Sequence, residues 1–386
     1  MNFETELLHN GNEIDPLTGA VSIPLYQAST YHQNIEQPGE FDYTRSGNPT
    51  RKALENTIAC LESGYRGFAF SSGMAAISTV LLLFSRGDHL IVSQDVYGGT
   101  FRVLTQVFRR MGIETTFVDT TRIDQVEQAI QSNTKAIYVE TPSNPLLKVS
   151  DLKEITRLAK ASRCLTIVDN TFLTPYYQRP LELGADIVIH SATKFISGHS
   201  DVLAGLVVAN DKETADHLEL LQNAFGAVLG VHDSWLVLRG LKTLKVRMEQ
   251  STKSAEKIAL WLNQHPLVKR VYYTGLPSHE GHHLQCQQAK GHGAVLSFDV
   301  GSKEKAKQVL KRVHLPVVAV SLGAVESILS YPAQMSHASM PPEVRQKRGI
   351  TDGLLRLSVG LENVDDLIGD LAHAIEEKTV ISFSGK

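Results

Sequence analysis

Cysteine is scarce in this sequence. Its 386 residues include three cysteines, Cys60, Cys164 and Cys286, and no two of them form a CxxC pair. An odd number of widely separated cysteines predicts neither a disulfide framework nor a zinc knuckle, and it is typical of proteins in a reducing compartment. We therefore expect a cytoplasmic protein with free thiols.

An excess of basic charge is also missing, and so is any long apolar run. The 38 lysines and arginines are balanced by 41 acidic residues, which leaves a formal net charge of −3. This balance does not favour binding to nucleic acid or to an anionic membrane surface. No apolar run approaches the length of a transmembrane helix, and the first residues lack the pattern of a signal peptide. Nucleic acid and membranes are therefore not expected as partners.

Several common enzyme signatures are absent as well. The patterns GxGxxG, GxxxxGK[ST] and GxSxG do not occur, which argues against the usual dinucleotide, nucleoside-triphosphate and hydrolase sites. Residues 279–283 match HExxH, but Gly275, Pro277 and Gly281 interrupt any helix that would bring both histidines to one metal ion. We interpret this segment as a solvated loop and expect no metal site, with a zinc site as the alternative.

The order of apolar and amphipathic segments divides the chain into three parts. Residues 1–50 form a polar arm with turn signals and no sustained helical period. Through residues 51–245, short β-branched runs alternate with amphipathic stretches, which predicts a mostly parallel sheet covered by helices on both faces. A continuous helical pattern over 233–262 is predicted to lead into a smaller domain of mixed strands and helices over 246–386.

Two predicted strands are followed by residues with distinctive chemistry. One strand leads into Ser191, Thr193 and Lys194. A lysine amine must be neutral to attack an aldehyde, and a phosphorylated aldehyde needs hydroxyl donors nearby. Another strand ends before Asp169, at the edge where α/β proteins open their ligand crevices, and a carboxylate there can keep a pyridine nitrogen protonated. A surface lysine and an Asp-Asn turn are the alternatives.

Two strand-to-helix junctions offer a phosphate site and an aromatic ring. A helix is predicted to begin near Gly73 and Met74, where the free N–H groups of a first turn can bind a phosphate; ordinary helix capping is the alternative. Tyr97 precedes two glycines, which let a planar ring come close. The alternative for Tyr97 is a place in the core.

Arginines occupy two unusual positions. Arg356 lies within the apolar run 354–359, where an unpaired cation is costly to bury. The carboxylate of an amino-acid substrate would pair with it in a bidentate manner, and a structural salt bridge is the alternative. Arg45 lies near Tyr43 in the polar arm, which is unusual chemistry for a loop.

Taken together, these segments resemble the Cys/Met-metabolism family of pyridoxal-phosphate enzymes. The resemblance extends from TGAVSIP at 18–24 to LLRLSVGLE at 354–362, and the SATKF and GHSD elements carry it most specifically. SLGAVESILSYP at 321–332 and NAFGAVLG at 223–230 are most similar to the bacterial β-lyases of the family. The resemblance implies the α/β architecture called fold-type I, that of aspartate aminotransferase, with a mostly parallel sheet domain and a smaller C-terminal α+β domain.

The resemblance also implies a role for each candidate residue. Lys194 matches the lysine that carries pyridoxal 5'-phosphate and moves protons. Asp169 matches the partner of the pyridine nitrogen, and Tyr97 matches a catalytic tyrosine that stacks on the cofactor ring. The other matches are the phosphate ligands Gly73, Met74, Ser191 and Thr193, the phosphate ligands from a neighbouring subunit Tyr43 and Arg45, and the substrate-binding residues Arg356, Asn144, Ser327 and Glu326. A shared site implies at least a dimer, and family members are usually tetramers.

The expected reaction is β-elimination of L-cystathionine to homocysteine, pyruvate and ammonia, a step of methionine biosynthesis. The cystathionine γ-lyase, cystathionine γ-synthase and homocysteine γ-lyase activities of the same family remain open, because they use the same motifs. A nicotinamide-dependent oxidoreductase is the alternative from another class, and the missing GxGxxG argues against it. The intact lysine argues against an inactive relative.

Overall fold

A seven-stranded sheet lies at the centre of the larger part of the molecule. The computed structural model describes residues 1–376 except 12, 339 and 341. The strands are β1 (Arg66–Phe70), β2 (His89–Ser93), β3 (Glu114–Val118), β4 (Thr134–Glu140), β5 (Leu165–Asp169), β6 (Ile187–Ser191) and β7 (Gly205–Ala209), arranged in the order β1-β7-β6-β5-β4-β2-β3. All run parallel except β7, which is antiparallel to its neighbours β1 and β6. The mostly parallel sheet that the sequence predicts is confirmed.

Both faces of this sheet are buried, as the β-branched strand runs predict. Ile137 and Val168 enter one apolar core, whereas the adjacent residues Tyr138 and Ile167 enter another. Because successive side chains of a strand point to opposite faces, two cores require cover on both sides. The helices of this part of the chain are α1 (Phe3–His9), α2 (Pro49–Leu61), α3 (Gly73–Leu81), α4 (Gly98–Gln106), α5 (Ile123–Gln128), α6 (Leu152–Ala161), α7 (Thr174–Tyr177), α8 (Lys212–Phe225) and α9 (Val231–Leu241).

The single helix predicted over 233–262 is in fact two helices. Two residues separate the end of α9 at Leu241 from the start of α10 (Leu244–Gln264). At the break, the carbonyl of Gly240 accepts the N–H of Thr243 across 3.2 Å and the guanidinium of Arg247 across 2.8 Å, so the backbone group at the helix end is satisfied locally. Leu241 and Leu244 are both buried, so the apolar period continues across the break and the pattern alone does not reveal it.

A second sheet of five strands forms the smaller part. Its strands are β8 (Arg270–Tyr272), β9 (Val295–Asp299), β10 (Val317–Val318), β11 (Ile328–Ser330) and β12 (Leu354–Ser358), in the order β10-β11-β12-β9-β8. Only the β10–β11 pair is parallel. Its helices besides α10 are α11 (His282–Gln288), α12 (Lys303–Arg312), α13 (Pro342–Lys347) and α14 (Val364–Ile375). The smaller domain of mixed strands and helices is therefore present.

Some elements were not predicted. The arm contains the short helix α1, which buries Leu7. Strands β7 and β11 and helices α2, α7, α8, α11 and α13 were also missed. Among the described residues, no helix combines the length and the apolar character needed to cross a membrane.

Candidate active site

The two predicted strand ends lie side by side in the sheet. Strands β5 and β6 pair in parallel, and β5 ends at Asp169 while β6 ends at Ser191, three residues before Lys194. The hydroxyl of Thr171 donates to the Asp169 carboxylate across 2.6 Å and accepts the N–H of Ser191 across 2.9 Å. One threonine therefore ties the acidic strand end to the segment that carries the lysine.

Asp169 is a buried carboxylate without a cationic partner. Burial raises the pKa of its carboxyl group, and the hydrogen bonds from Thr171 oppose this rise. The hydroxyl of Tyr138 lies 3.5 Å from Oδ2 of Asp169. Within the described part of the chain, no ion pair includes Asp169. A carboxylate desolvated in this way gains from an added cation, and a protonated pyridine nitrogen is a group of that kind.

Lys194 is held by a residue far away in the sequence. Its amine donates to the Ser321 hydroxyl across 2.6 Å. Burial and the positive charge of Arg356 lower the pKa of Lys194 to about 8, so roughly a tenth of the amine is neutral at pH 7, far more than for an ordinary lysine. Gly323 has φ +78°, and a Cβ at that position would lie 2.5 Å from the nitrogen of Phe195. Glycine is required there because the Ser321 segment packs directly against the lysine loop.

The loop that follows Lys194 is held by a buried arginine. Arg247 donates to the carbonyls of Phe195 and Ile196, across 2.5 and 3.2 Å, as well as to Gly240. Burial lowers the pKa of this guanidinium to about 10. Three carbonyls bound by one rigid planar group define the path of the chain immediately after the lysine.

The first turn of α3 abuts the end of β6. Ser72 caps the helix by accepting the N–H of Ala75 across 3.0 Å. A Cβ on Gly73 would lie 3.0 Å from both Cβ and Oγ of Ser191, so glycine permits the close approach. The free N–H groups of this turn and the Ser191 hydroxyl together form a cradle that suits a phosphate.

The hydroxyl of Thr193 is engaged with the backbone. It accepts the N–H of Ala204 across 3.0 Å and donates to the carbonyl of the same residue across 3.2 Å. A Cβ on the adjacent Gly205 would lie 2.1 Å from the carbonyl oxygen of Ser72. The start of β7 thus packs against both the lysine segment and the turn before α3.

Tyr97 lies beside the cradle at the start of α4. Its backbone N–H donates to the Glu140 carboxylate across 2.7 Å, and 41% of the residue is exposed, so its ring is free to contact a ligand. A Cβ on Gly99 would lie 2.4 Å from the Tyr97 ring and 2.7 Å from the sulfur of Met74. Burial and the nearby charge of Asp169 raise the pKa of Glu140 well above its ordinary value. The aromatic ring and the helix turn therefore share one side of the site.

Arg356 projects from the buried strand β12 into a set of polar groups. It donates to Oδ1 of Asn144 across 2.8 Å, to the carbonyl of Ser321 across 2.7 Å and to the Ser330 hydroxyl across 3.2 Å. Its Nε has no hydrogen-bond partner among the residues that the structure describes. Burial lowers the pKa of the guanidinium to about 10. No carboxylate of the described chain forms an ion pair with Arg356, so this buried cation is suited to a substrate carboxylate.

The serine beside Arg356 is not the one that the sequence suggested. Ser327 donates through its hydroxyl to Glu362 across 2.8 Å and accepts the N–H of Gly360 across 2.9 Å. These bonds tie the strand to the following turn and do not reach Arg356. The reason is the strand register, which pairs Ser330 with Arg356. Glu326 is exposed.

Tyr43 and Arg45 lie away from this cluster in their own chain. Both are exposed, and the guanidinium of Arg45 lies 5.7 Å from the centre of the Tyr43 ring. Arg45 donates to the carbonyl of Asn223 at the end of α8 across 2.7 Å. No contact of either residue with Lys194 occurs within the described part of the chain.

Sequence reasoning missed four residues of the site. Thr171 lies two positions after Asp169, and its hydroxyl could have been found from that local spacing. Ser321 and Ser330 lie within a segment used for the family resemblance, but only the strand pairing shows which serine faces which group. Arg247 could not be predicted from the sequence, because its spacing is that of an ordinary polar residue of a helix.

These residues fit pyridoxal 5'-phosphate. Lys194 supplies an amine with a lowered pKa, Asp169 a buried carboxylate without a cation, and the first turn of α3 a phosphate cradle next to Ser191. Tyr97 adds an accessible aromatic ring. The arrangement at the carboxyl ends of a mostly parallel sheet is that of a fold-type I pyridoxal-phosphate enzyme.

Comparison with known proteins agrees with this class. The chain belongs to the Cys/Met metabolism PLP-dependent enzyme family, whose profile matches residues 4–376. It is 61% identical over 380 residues to a cystathionine beta-lyase of Bacillus subtilis (strain 168), covering 98% of this chain and 97% of that protein. It is 54% identical to a cystathionine gamma-lyase of the same organism, with 97% and 100% of the two chains covered. The expected pyridoxal-phosphate cofactor and enzyme class are thereby confirmed.

A solved structure shares the whole architecture. The crystal structure of cystathionine gamma-lyase from Lactobacillus plantarum, complexed with L-serine, superposes with a TM-score of 0.94 at 47% identity. The alignment covers 97% of this chain and 98% of that one. The fold-type I expectation is confirmed, and the nicotinamide-dependent alternative is not supported.

Proposed function

We propose that this chain is a carbon–sulfur lyase that cleaves L-cystathionine by β-elimination to homocysteine, pyruvate and ammonia, in methionine biosynthesis. The observation that supports it most directly is the position of Ser321, whose hydroxyl accepts from Lys194 and whose carbonyl accepts from Arg356. One residue thus brings the proton-transfer amine and the carboxylate-binding cation into the same small space. An α-amino acid held through its carboxylate at Arg356 has its Cα on the side of Lys194.

In this proposal, each residue of the site has a separate role in the reaction. Arg356 and Asn144 bind and orient the substrate carboxylate. Lys194, whose pKa is lowered to about 8, removes the Cα proton as a general base. Pyridoxal 5'-phosphate, when bound, supplies an electron sink for the negative charge that develops at Cα. Asp169 would hold a proton on the pyridine nitrogen, and Lys194 or Tyr97 returns a proton to the departing thiolate. Water then hydrolyses the released aminoacrylate to pyruvate and ammonia.

The phosphate is assigned to the cradle at the start of α3. Its ligands in this proposal are the N–H groups of Gly73 and Met74 and the hydroxyl of Ser191. Thr193 would join them by turning its hydroxyl away from Ala204, to which it is bonded in this structure. Ser327 has no contact with Arg356 that supports its expected role, and Ser330 takes that position instead.

The proposal includes a shared site and a cytoplasmic, tetrameric enzyme. Tyr43 and Arg45 are exposed on the polar arm of residues 1–50, and Arg45 would exchange its bond to the Asn223 carbonyl for the phosphate of a neighbouring subunit. We assign residues 51–245 to the cofactor-binding domain and 246–386 to the smaller domain. We further propose that two such dimers form a tetramer and that the enzyme is located in the cytoplasm, with the other enzymes of amino-acid synthesis.

The second candidate is γ-chemistry on the same substrate. The 54% identity to a gamma-lyase and the close match to the L. plantarum enzyme favour it, and the site residues described above serve both reactions. The higher identity to a beta-lyase, 61%, is the reason for preferring β-elimination.

Product analysis separates the two. The purified enzyme, incubated with L-cystathionine, is expected to release mainly homocysteine and pyruvate. A predominance of cysteine and 2-oxobutyrate would replace the proposal by a γ-lyase. Borohydride treatment should also attach a reduced pyridoxyl group to Lys194, and its recovery on a different lysine would remove the assignment of the catalytic centre.

A further inference from the structure

Three metal-ligating side chains meet where α11 faces the loop that follows it. His282 and Cys286 are four residues apart on α11, so they share one face of the helix. His292 approaches them from the loop before β9. One ligand atom from each of the three lies within 4.8 Å of the others, and the Cys286 sulfur is 3.8 Å from Nε2 of His282.

This cluster is not the HExxH motif, and the loop that the sequence suggested for residues 279–283 is present only over 279–281, before α11 begins. His279 precedes α11, whereas His283 lies within it and is exposed. The helix begins at His282, directly after Gly281, so the interrupting glycine lies before the helix rather than inside it. The ligand set comes from a helix turn and a separate loop, which no short pattern describes.

Hydrogen bonding leaves the histidine nitrogens suited to a cation. Nδ1 of His282 lies 2.8 Å from the carbonyl of Thr274, which can only accept, so Nδ1 carries the proton and Nε2 has a free lone pair beside Cys286. A backbone carbonyl in this position is the usual outer partner of a metal-bound imidazole. Nδ1 of His292 is buried and has no hydrogen-bond partner among the residues that the structure describes. The two rings stack with centroids 5.5 Å apart.

The two parts of the cluster are held together without a metal. Gln285, which is fully buried in α11, donates to the carbonyl of Gly291 across 2.7 Å. The hydroxyl of Thr274 donates to the carbonyl of His292 across 3.2 Å. These bonds fix the loop against the helix, so the ligands are brought together before any ion binds.

We infer that His282, Cys286 and His292 form a binding site for a zinc-like transition metal ion. In a tetrahedral site with Zn–N near 2.0–2.1 Å and Zn–S near 2.3 Å, neighbouring ligand atoms lie about 3.4–3.8 Å apart. The separations here reach that range with side-chain movements of about 1 Å or less. Two imidazoles and a thiolate are the ligand types that zinc prefers.

Two of the three ligands, Cys286 and His292, line an open cavity of about 500 Å³, together with Glu249, Lys253 and Glu256 of α10 and with Lys290. A water molecule from the cavity completes the coordination. When the metal binds, the thiol of Cys286 loses its proton to solvent and its sulfur forms the bond to the ion. None of the three ligands contacts Lys194, Asp169 or Arg356 in the described chain.

Zinc titration of the full-length holoenzyme, free of any affinity tag, tests the site. With a chromogenic chelator as competitor and no substrate present, we expect one zinc ion per chain. Cys286→Ser should weaken binding at least about 100-fold, because even outer partners of a metal contribute 10–100-fold. His283→Ala and Cys60→Ser are the matched controls and should bind as the wild type does. Equal zinc affinity in Cys286→Ser and the wild type would overturn the inference.

Cobalt provides a second readout that reports the sulfur directly. The Co²⁺-loaded wild-type enzyme should show a thiolate-to-metal charge-transfer band after subtraction of the cofactor spectrum. The band should persist in Cys60→Ser and disappear in Cys286→Ser. Should Cys286→Ser fail to fold, as judged by circular dichroism, His292→Asn replaces it in the titration and must lose tight zinc binding. Absence of the band in the wild type would show that Cys286 is not a ligand.

Discussion

The amine of Lys194 lies 2.6 Å from the hydroxyl of Ser321, 127 positions further along the chain. The backbone of Ser321 has φ +94°, in the left-handed region that a non-glycine residue rarely adopts. The backbone carbonyl of the same residue accepts a hydrogen bond from the guanidinium of Arg356. Ser321 therefore connects Lys194 with Arg356, the arginine that we propose binds the substrate carboxylate.

Ser321→Ala is expected to reduce kcat about 10-fold while KM changes less than about 3-fold. The substitution removes the hydrogen bond that orients Lys194, worth about 1.4 kcal/mol in the barrier, but it keeps the carbonyl that Arg356 contacts. Steady-state kinetics with cystathionine measure both constants. Ser330→Ala, which touches Arg356 instead, should mainly raise KM. A kcat within twofold of the wild type in Ser321→Ala would contradict the positioning role.

The lowered pKa of Lys194 predicts a pH-dependent stability difference in the apoenzyme. Since the pKa is about 8 in the folded chain against an ordinary value of 10.5, the folded state binds fewer protons between these values. This costs up to about 3 kcal/mol below pH 8 and nothing above pH 10.5. Apo Lys194→Met should therefore be more stable than the apo wild type at pH 7, by an amount that shrinks as pH rises. Thermal midpoints at pH 7, 8, 9 and 10 measure it, and a constant difference would refute it.

Arg247→Met should destabilise the protein by about 3 kcal/mol or more. The change leaves the carbonyls of Phe195 and Ile196 buried without their donor, and each unsatisfied buried group costs about 1–3 kcal/mol. Thermal or urea unfolding measures the loss. Arg239→Met, an exposed arginine of α9, is the matched control and should change little. Equal effects of the two substitutions would show that the carbonyls do not depend on Arg247.

A site shared between subunits predicts complementation. Arg45→Ala removes a phosphate ligand from the neighbouring site, whereas Lys194→Ala inactivates its own site. Mixing the two variants should therefore restore some complete sites in hybrid dimers and yield activity above either parent. Subunit exchange is verified by native mass spectrometry. Hybrids that have formed but remain as inactive as the parents would show that Arg45 does not act across the interface.

Glu326→Ala is expected to raise KM for cystathionine about 10-fold, which corresponds to about 1.4 kcal/mol. Cystathionine carries a second ammonium group at its far end, and Glu326 is an exposed acid without an ion-pair partner in the described chain. Initial-rate kinetics measure the effect. Glu304→Ala, an exposed acid on α12, serves as the control. An unchanged KM in Glu326→Ala would make this residue an ordinary surface acid.

The sequence by itself determined the sheet and the two strand ends that carry Asp169 and Lys194. Apolar β-branched runs alternate with amphipathic ones because each strand is buried on both faces, and this local pattern is visible without a structure. Asp169 ends one such run and Lys194 lies three residues after the next, so their placement at one edge follows from parallel pairing. Family-specific segments such as SATKF carried the assignment of the cofactor.

Only the tertiary structure decided which distant groups meet. Three contacts join segments that are far apart in the chain. They are Lys194 with Ser321, Ser330 rather than Ser327 beside Arg356, and His292 near Cys286. The break between α9 and α10 also depends on a contact, because the apolar period runs through it unchanged. Strand register and loop packing set these distances. Neither produces a periodic pattern in the sequence. Register matters because a shift by one residue turns every side chain of the strand to the opposite face.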